Sequence, residues 1–426
     1  MSNLAAALQH VRPNMAADSS IINIHKILTQ QNLEEYRREP AGDMEEEAHS
    51  IVIVGGGICG LATAIALHRK GIPSLVLEKS ETLRADGVAI GIHANGWRAL
   101  DQLGVAAELR ETANRITAYH TVWLRDELRC LKRKDLIETL ARNVPEGTIR
   151  FGCHIVAIHE DPGSHGAVIT TGDGTVIRAK VLIGCDGTNS VVAKFLGLSV
   201  PKTLHQTVLR GFTRYPHGHQ FEPEFLRLRD GDLFLGRLPV TDNLVYYFVT
   251  WPNPSTGCHQ GPGSHEGSSA GEAARMPRRD HRDDQELRPG VPERVHQDLV
   301  PSPMAGHARH LPEGHRDGGG DAMHAMAPFI GQGGAAGLED CVVLARSLSR
   351  AAATAATDGG SEPWEEAIAG YVRERRTRLA LLSLETFAVG VLLRAKSPVT
   401  KLACFAVLAL LGSQSLRHTN YDCGRL

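Results

Sequence analysis

Three glycines early in the chain have a spacing that suits the binding of a pyrophosphate. Gly55, Gly57 and Gly60 stand in the order G-x-G-x-x-G directly after the apolar run 51–54, and an alanine-rich segment continues to about Lys70. In a strand-turn-helix unit, one glycine makes the tight turn, one lets a pyrophosphate approach the backbone, and one lets the helix lie close to the strand. The N–H groups and dipole of the helix N-terminus then attract the phosphates.

Glu78 completes this pattern. It ends a second apolar run, 72–77, at about the twenty-residue distance where an acid accepts hydrogen bonds from a ribose hydroxyl. Glycines with this spacing also occur in simple flexible turns. Here a strand, a helix, a second strand and a terminal acid follow one another in the right order, which predicts a βαβ unit that binds a dinucleotide.

The composition limits the classes of function that the chain can have. With 426 residues it is long enough for two or more domains, and its formal net charge of −2 gives no basic face for nucleic acid. The 8 cysteines never form a C-x-x-C pair, which predicts neither a metal site nor a disulfide framework and favours a reducing compartment. We therefore expect no metal ion and no nucleic-acid partner.

The first 49 residues lack the apolar segment behind a basic start that marks a secretory signal. The acidic run 43–47 also differs from transit peptides, which are poor in acids. We therefore expect a natural start at Met44 and a disordered extension over residues 1–49. The same features favour the cytoplasm, with the chloroplast as the alternative.

Two amphipathic helices are predicted after the βαβ unit. One occupies the region 95–103, with Asn95 as its cap, and the other begins at Arg133 with Leu136 and Leu140 on one buried face.

Strand patterns follow these helices. Alternating apolar residues at 167–171 and 176–183 predict a meander that leads into Asp186 and Gly187. From 206 to 252 short apolar strands separated by turn residues predict an antiparallel sheet that forms a second domain.

Residues 257–319 differ sharply from the segments on either side. They contain no Phe, Trp, Tyr, Ile or Lys and are rich in Gly, Pro, Arg, His and Asp. Since GC-rich codons specify Gly, Pro, Arg and Ala, we interpret residues 258–319 as a frameshifted translation, with a lineage-specific disordered insertion as the alternative. With few apolar side chains and no aromatic anchor, this segment is expected to be unable to pack.

A second glycine-rich motif follows directly. It starts with Gly320 and Asp321, continues through Pro328 and ends in the sequence GQGG at 331–334.

The remainder of the chain reads as helices. We expect a helix at 338–348, an Ala/Gly-rich loop, and a long helix from Pro363 to about residue 393. The polar, basic flank of this long helix is expected to consist of Tyr371, Arg375, Arg376 and Arg378. The apolar stretch 401–411 is too short to cross a bilayer, and it is interpreted either as a helix packed in the core or as one that lies on a membrane surface.

The three motifs stand in the order that is typical of one family. The glycine fingerprint with Glu78, the Asp186-Gly187 pair and the motif that starts at Gly320 resemble those of the flavin-dependent aromatic hydroxylases (para-hydroxybenzoate hydroxylase-like). Within that family the sequence is most similar to the plant monooxygenases related to zeaxanthin epoxidase. The resemblance covers about residues 50–256 and 320–426.

The resemblance implies that FAD binds in an extended pose across the first domain. By this analogy, Gly55, Gly57 and Gly60 hold the pyrophosphate, Glu78 binds the adenosine ribose, and Arg133 reaches the flavin side of the cofactor.

The later motifs are expected to bind the flavin half. Asp321 matches the acid that bonds the ribityl chain, and the backbone of 331–334 matches the segment that lies against the isoalloxazine edge. Asp186 matches an acid that serves both FAD and transiently bound NAD(P)H, although an acid in this position can also simply cap a turn. The other residues expected at this site are Gly187, Gly320, Pro328, Gly331, Gly333 and Gly334.

The resemblance further implies an FAD-dependent monooxygenase that uses NAD(P)H and O2 to hydroxylate or epoxidise a small aromatic or isoprenoid-like substrate. In this family the reduced flavin activates O2 as a hydroperoxide, so no catalytic acid or base is expected, and His324 is interpreted as structural. Two alternatives stay open. One is a flavin oxidase or dehydrogenase on the same fold, and the other is a non-catalytic remnant damaged in 258–319.

The expected fold is α/β: a Rossmann-like FAD-binding domain of the GR2 type with an inserted antiparallel-sheet substrate domain and C-terminal helices. The FAD-binding parts are expected at 50–200 and 320–390, the substrate domain at 201–319, and a helical tail at 391–426.

Three places depart from the family pattern. Ala193, with Lys194 beside it, stands where the family commonly has an arginine after the motif serine, which puts contacts to the nicotinamide in doubt. The segment between Trp123 and Arg129 is shorter than this branch usually has. Residues 314–319 read GHRDGG and include charged residues, where the family has an apolar strand of the buried sheet.

Overall fold

The computed structural model describes residues 46–426, apart from residues 86, 120, 121, 125, 162–165, 199–205, 253–292, 297–315, 319–320, 325, 359–362 and 413–416. Most of the expected extension, up to residue 45, therefore lies outside the described residues. Residues 46–49 were expected to belong to the extension, but they form the start of the first strand because they pair in register with residues 176–179.

The described residues alternate between strands and helices up to residue 195, then form an antiparallel sheet, and end in helices. The strands are β1 Glu46–Val54, β2 Leu75–Leu77, β3 Ala89–His93, β4 Ala118–Tyr119, β5 Val122–Trp123, β6 Leu128–Lys132, β7 Ile149–Arg150, β8 Ile155–Glu160, β9 Ala167–Thr171, β10 Val176–Gly184, β11 Gln206–Arg214, β12 Glu224–Asp230, β13 Leu233–Thr241, β14 Leu244–Pro252, β15 Glu293–His296 and β16 Arg316–Gly318. The helices are α1 Ile58–Arg69, α2 Ala94–Leu103, α3 Ala106–Glu111, α4 Arg133–Arg142, α5 Val191–Phe195, α6 Asp321–His324, α7 Gly333–Asp358, α8 Pro363–Arg394 and α9 Pro398–Leu411, with 3-10 turns at Pro328–Ile330 and Arg417–Asn420.

The central sheet has the strand order β7-β2-β1-β10-β9-β8, with β16 also paired to β10. Strand β1 runs parallel to both β2 and β10. Its residues alternate between two cores, because Ile51 and Ile53 pack with α1 and α7 whereas Val52 and Val54 pack on the opposite face. Burial on both faces explains why this strand is a continuous apolar run. The predicted α/β fold is confirmed.

The second sheet has the order β15-β11-β14-β13-β12-β4-β5. Strands β11 and β14 pair antiparallel over their whole length, as the sequence predicts. Leu238, Val240, Leu244 and Tyr246 of this sheet form a small core with Cys130 of β6. The sheet therefore packs against the short ribbon β3-β6 that extends from the FAD-binding part.

Two short parts of the anomalous segment 258–319 form strands. Strand β15 pairs antiparallel with β11, and β16 pairs in parallel with residues 182–184 of β10. The place that the family pattern reserves for an apolar strand is thus occupied by Arg316–Gly318. The expectation that the segment cannot pack is wrong for these two backbone stretches, because strand pairing depends on backbone groups. The rest of this segment lies outside the described residues, and the frameshift stays a prediction.

The helices differ from the sequence predictions in two respects. Helix α7 begins at Gly333 and includes residues 351–358, which were expected to form a loop, because the alanines there favour a helix. Asn95 is not a cap, since α2 begins at Ala94 after His93. Helix α8, Pro363–Arg394, agrees with the long helix expected from Pro363 to about residue 393. Residues 46–426 form one compact unit, and the remaining domain borders stay predictions.

Helix α9 contains the apolar stretch 401–411. Cys404 and Leu408 are its buried residues, and most of its other side chains are exposed. The core-packing interpretation is therefore wrong for most of this helix. No helix among the described residues is both long enough and apolar enough to cross a bilayer.

Candidate functional site

The glycine fingerprint forms the turn between β1 and α1. Gly55 has a φ of 104°, in the left-handed region, and its N–H donates to the carbonyl of Leu77 at 2.8 Å. A Cβ on Gly60 would lie 1.9 Å from the carbonyl oxygen of Gly55, so only glycine lets helix and turn come this close. A Cβ on Gly57 would have no atom within 4 Å among the described residues, and the surface there is open.

Glu78 is held at the tip of β2 by backbone donors. The N–H of Gly56 donates to Oε2 at 2.7 Å, and the N–H of Ser80 donates to Oε1 at 2.9 Å. The residue is 8% exposed. Each carboxylate oxygen has a further lone pair, so the group can still accept hydrogen bonds from a ribose.

A cluster of three cysteines lies behind the fingerprint. The sulfur of Cys59 is 3.6 Å from that of Cys185 and 3.8 Å from that of Cys341, which also accepts a hydrogen bond from Thr63. Burial raises the pKa of Cys341 well above that of an ordinary thiol. A buried protonated thiol is a weak nucleophile, so the cluster serves packing in its reduced form. Scattered cysteines in the sequence gave no signal for this arrangement.

Helices α1 and α7 begin side by side. The thiol of Cys59, in the first turn of α1, contacts the carbonyl of Gly337 in α7. One turn further along both helices, Thr63 of α1 contacts Cys341 of α7. The positive ends of the two helix dipoles are thereby adjacent.

The residues 331–334 form the entry to α7. Gly331 has a φ of 64° and closes the 3-10 turn Pro328–Ile330, with its N–H donating to the carbonyl of Pro328 at 3.1 Å. A Cβ on Gly334 would lie 2.8 Å from Cδ1 of Ile90 in β3, so the loop touches this strand closely. Gly333 is the first residue of α7, and Pro328 is exposed.

His93 lies beside the Gly331 turn. A Cβ on Gly331 would be 3.9 Å from its Nε2. Burial, together with the neighbouring His418, lowers the pKa of His93 to about 3, so the ring is neutral at physiological pH. The sequence prediction did not include His93, because a lone histidine on a strand carries no pattern.

Arg133 is the first residue of α4 and follows directly after β6. Its side chain lies against Gly87, where a Cβ would be 2.7 Å from Cδ of Arg133, and Gly87 has a φ of 113°. Arg133 therefore lies at the end of β6, the strand that pairs with β3. Strand β3 contains Ile90 and His93, which lie next to the segment 331–334.

Asp186 bonds to the start of the short helix α5, whose cap is Ser190. Its Oδ1 accepts from the hydroxyl of Ser190 at 2.6 Å, and its Oδ2 accepts from the N–H of Val191 at 2.6 Å. Gly187 makes the turn with a φ of 79°. Both oxygens thus have partners within the chain, which matches the turn-capping alternative, and a role toward a cofactor stays a prediction.

Two members of the expected site cannot be placed in detail. Gly320 lies outside the described residues. Asp321 begins α6, next to β16, and its side chain also lies outside them.

A buried ionic network lies beneath the Gly331–Gly334 loop and was missed by the sequence prediction. Arg375 bonds Glu339 and Asp340, each at 2.7 Å, and Asp340 also pairs with Nε2 of His324. Asn95 donates to Glu339 at 2.6 Å and to the side chain of Gln332 at 2.8 Å. The network therefore ties the loop to helices α2, α7 and α8.

The basic flank expected on α8 is wrong for two of its four residues. Tyr371 and Arg375 are 0% and 1% exposed, whereas Arg376 is exposed. The adjacent acids Glu339 and Asp340, inside the otherwise apolar stretch 335–345 of α7, were the signal that could have indicated a buried partner for Arg375. His324 is buried in this network, in line with a structural role.

Together these features fit FAD. Two adjacent helix N-termini suit a pyrophosphate, the open surface at Gly57 gives it room, and the fixed carboxylate of Glu78 suits the adenosine ribose. In the described part of the chain, no group of His, Cys, Asp and Glu side chains is arranged to bind a metal ion.

Sequence comparison identifies a family for this chain. The model of the "FAD binding domain" family matches residues 48–212. Monooxygenase 1 of Arabidopsis thaliana is 44% identical over 407 residues, which are 89% of this chain and 100% of that protein. Monooxygenase 2 of the same plant is 33% identical over 90% of this chain and 100% of that protein.

Solved structures share the fold. HpxO of Klebsiella pneumoniae in complex with FAD and uric acid has a TM-score of 0.67 at 20% identity, over 88% of this chain and 96% of that one. A salicylate hydroxylase substrate complex has a TM-score of 0.63 at 20% identity, over 89% and 97%. At this identity the structures show a common fold alone. The full-length match to the plant proteins goes further, and the chain belongs to the FAD-dependent monooxygenase family.

Proposed function

We propose that this protein uses NAD(P)H and O2 to hydroxylate or epoxidise a small aromatic or isoprenoid-like substrate, within the branch related to zeaxanthin epoxidase. The observation that carries the proposal is the pairing of α1 and α7 at their N-termini next to the anchored carboxylate of Glu78. This arrangement has a place for each end of one extended dinucleotide. A bound flavin would supply the chemistry with O2, since the protein in such systems supplies binding and electrostatics.

The chain's own residues would bind and orient the cofactor. Glu78 would accept from the adenosine ribose, the open backbone at Gly57 would contact the pyrophosphate, and Arg133 would lie on the flavin side. The neutral ring of His93 beside Gly331 adds no charge near the loop. The antiparallel sheet would form the opposite wall of the substrate pocket.

The first test is cofactor binding by the full chain. We expect the purified protein to be yellow, and Gly57→Ala to weaken FAD binding roughly tenfold or more because its Cβ would occupy the space for the pyrophosphate. The apoprotein should melt at an unchanged temperature. Gly370→Ala, on the surface of α8, is the matched control and should bind FAD normally. A colourless protein that FAD cannot reconstitute would contradict the proposal.

The second test is reduction of the flavin. We expect rapid anaerobic bleaching by NADPH or NADH, and faster NAD(P)H consumption in air when a true substrate is present. A panel of salicylate, an amino-hydroxybenzoate, urate and an isoprenoid alkene, with product analysis under labelled O2, separates hydroxylation from epoxidation.

A flavin oxidase or dehydrogenase is the second candidate, because Ala193 stands where the family commonly has an arginine after the motif serine. That leaves fewer groups for NAD(P)H. Bleaching by an organic donor without bleaching by either nicotinamide would favour this candidate. Bound flavin that neither kind of donor reduces would instead favour the non-catalytic remnant.

A further inference from the structure

Helix α9 exposes most of its apolar surface. Val399, Leu402 and Leu410 are 75%, 71% and 89% exposed, and Phe405 is half exposed. A helix of a soluble protein normally buries its apolar stripe against the core. Here the composition is almost wholly apolar while the buried part is confined to Cys404 and Leu408.

The end of α8, which packs on α9, also exposes apolar side chains. Leu381, Leu384 and Phe387 follow one another at three-residue spacing and are also exposed. Seven of the ten strongly exposed large apolar side chains among the described residues lie on these two helices. A concentration of this kind marks an interaction site rather than the scattered apolar residues of an ordinary surface.

The charge of the same region has one sign. Between Thr386 and Tyr421 the sequence contains no Asp or Glu. It does contain four cations, all of them exposed, and in the described part of the chain none of them has a carboxylate within ion-pair distance. These cations are Arg394, Lys396, Lys401 and Arg417.

We propose that α9 and the end of α8 dock this protein on the surface of an anionic lipid bilayer. Exposed apolar side chains would enter the boundary between headgroups and acyl chains, and the four cations would meet anionic headgroups. The 14 residues of α9 span about 21 Å, less than the hydrocarbon thickness of about 30 Å, so the helix lies on the bilayer.

A second copy of the chain fits this surface less well than an anionic bilayer does. In a two-fold dimer the same patch faces itself, so the cations of the two copies would meet without any acid between residues 386 and 421 to balance them. An anionic bilayer satisfies the apolar surface and the charge together.

The test is flotation of the full FAD-loaded chain with two kinds of vesicle. One contains phosphatidylcholine alone, and the other contains about one third phosphatidylserine. We expect roughly tenfold or more tighter binding to the anionic vesicles, and weaker binding at high salt. Equal binding to both kinds, or none to either, would overturn the proposal.

Two double variants separate the apolar and ionic parts. Leu402→Asp with Leu410→Asp should abolish binding to both vesicles, whereas Lys396→Glu with Lys401→Glu should remove only the preference for anionic ones. The controls are Leu228→Asp, at an exposed position of β12, and Lys70→Glu with Lys134→Glu in the FAD-binding part, and both should bind as the parent does.

Retained flavin and an unchanged melting temperature show that each variant is folded. Unchanged vesicle binding by the Leu402/Leu410 variant would overturn the proposal. So would a dimer in analytical ultracentrifugation that this variant dissociates, because the occupant would then be a second copy.

Discussion

The FAD-binding core and the antiparallel sheet each contain a largely buried arginine, but they surround it with different groups. Arg375 in the core bonds the carboxylates of Glu339 and Asp340. Arg227 in the sheet lies 4.5 Å from the ring centre of Phe234 and 5.5 Å from that of Tyr119, whose hydroxyl it also bonds. In the described residues no carboxylate lies within ion-pair distance of Arg227.

The electrostatic consequences are opposite. Burial alone would lower the pKa of Arg375, but Asp340 and Glu339 raise it well above its ordinary value. Burial lowers the pKa of Arg227 to about 10. A buried cation is thus fully compensated in the core, whereas in the sheet it has only ring faces and one hydroxyl, which stabilise it weakly.

The two regions are expected to differ most in the stability that is lost when a glycine is replaced by alanine. In Gly60→Ala the new Cβ would lie 1.9 Å from backbone at Gly55, which cannot move without breaking the turn. In Gly236→Ala it would lie 2.2 Å from the ring of Phe248, a side chain that can rotate. We expect Gly60→Ala to cost at least about 4 kcal/mol or to prevent folding, and Gly236→Ala about 1–3 kcal/mol. Urea unfolding measures both, and equal losses would show that the sheet is as rigid as the core.

Arg375→Met should lower the free energy of unfolding by about 3–5 kcal/mol, because it leaves Glu339 and Asp340 buried without their cation. Arg376→Met is the matched control, since the neighbouring side chain is exposed, and it should change stability by less than about 0.5 kcal/mol. Chemical denaturation of both proteins as apoproteins avoids any contribution from bound FAD. A loss below about 1 kcal/mol for Arg375→Met would mean that water reaches the two acids.

Arg227→Met should leave the free energy of unfolding unchanged or raise it by up to about 1 kcal/mol. The substitution removes a charge that burial disfavours, and the methionine keeps contact with the rings. Burial lowers the pKa of Arg227 in the folded state, so the charged side chain destabilises the protein by a constant amount at neutral pH. This destabilisation weakens only above about pH 10. Thermal unfolding at pH 7 is therefore sufficient. A loss above about 2 kcal/mol would show that the rings and the hydroxyl compensate the charge well.

The smallest effect is expected at the rim of the central sheet. Hydrogen bonds from Arg150 and His49 lower the pKa of Glu47 below its usual value. The folded pKa lies below the unfolded one, so the pair stabilises the protein above the unfolded pKa of about 4.5 and this contribution is lost as the pH falls. Because Glu47 and Arg150 are partly exposed, Glu47→Gln should cost less than about 1 kcal/mol at pH 7, and this cost should shrink as the pH falls below about 4.5 toward pH 3. A cost that does not change between these pH values would point to packing instead of charge.

The sequence predicted the elements whose burial follows a simple period. Strand β1, helix α1 and Glu78 could be placed because both faces of a parallel strand are apolar and because glycine spacing is dictated by backbone contacts. The antiparallel sheet was also predicted, since its strands alternate and are bounded by turn residues.

The sequence could not predict contacts between distant residues. The pairing of Arg375 with Asp340 joins residues 35 positions apart, and Asn95 reaches Glu339 over 244 positions. Local rules assigned Asn95 to a helix cap and Arg375 to a solvent-exposed flank, because both are polar and polar residues are usually exposed. Only the tertiary arrangement of α2, α7 and α8 makes them interior.

The residues 417–426 return to the FAD-binding part after α9. Arg98, Arg346 and Arg378, from three different helices, donate to backbone carbonyls of this segment at 2.6–2.8 Å. The segment thus links α2, α7 and α8 to one another through main-chain oxygens, and its side chains add contacts of their own, because Oδ1 of Asn420 accepts from Arg98 and Cys423 is buried in the main core. A protease cut near Arg417 would therefore detach one strip of chain that three arginines on three helices use as a common acceptor.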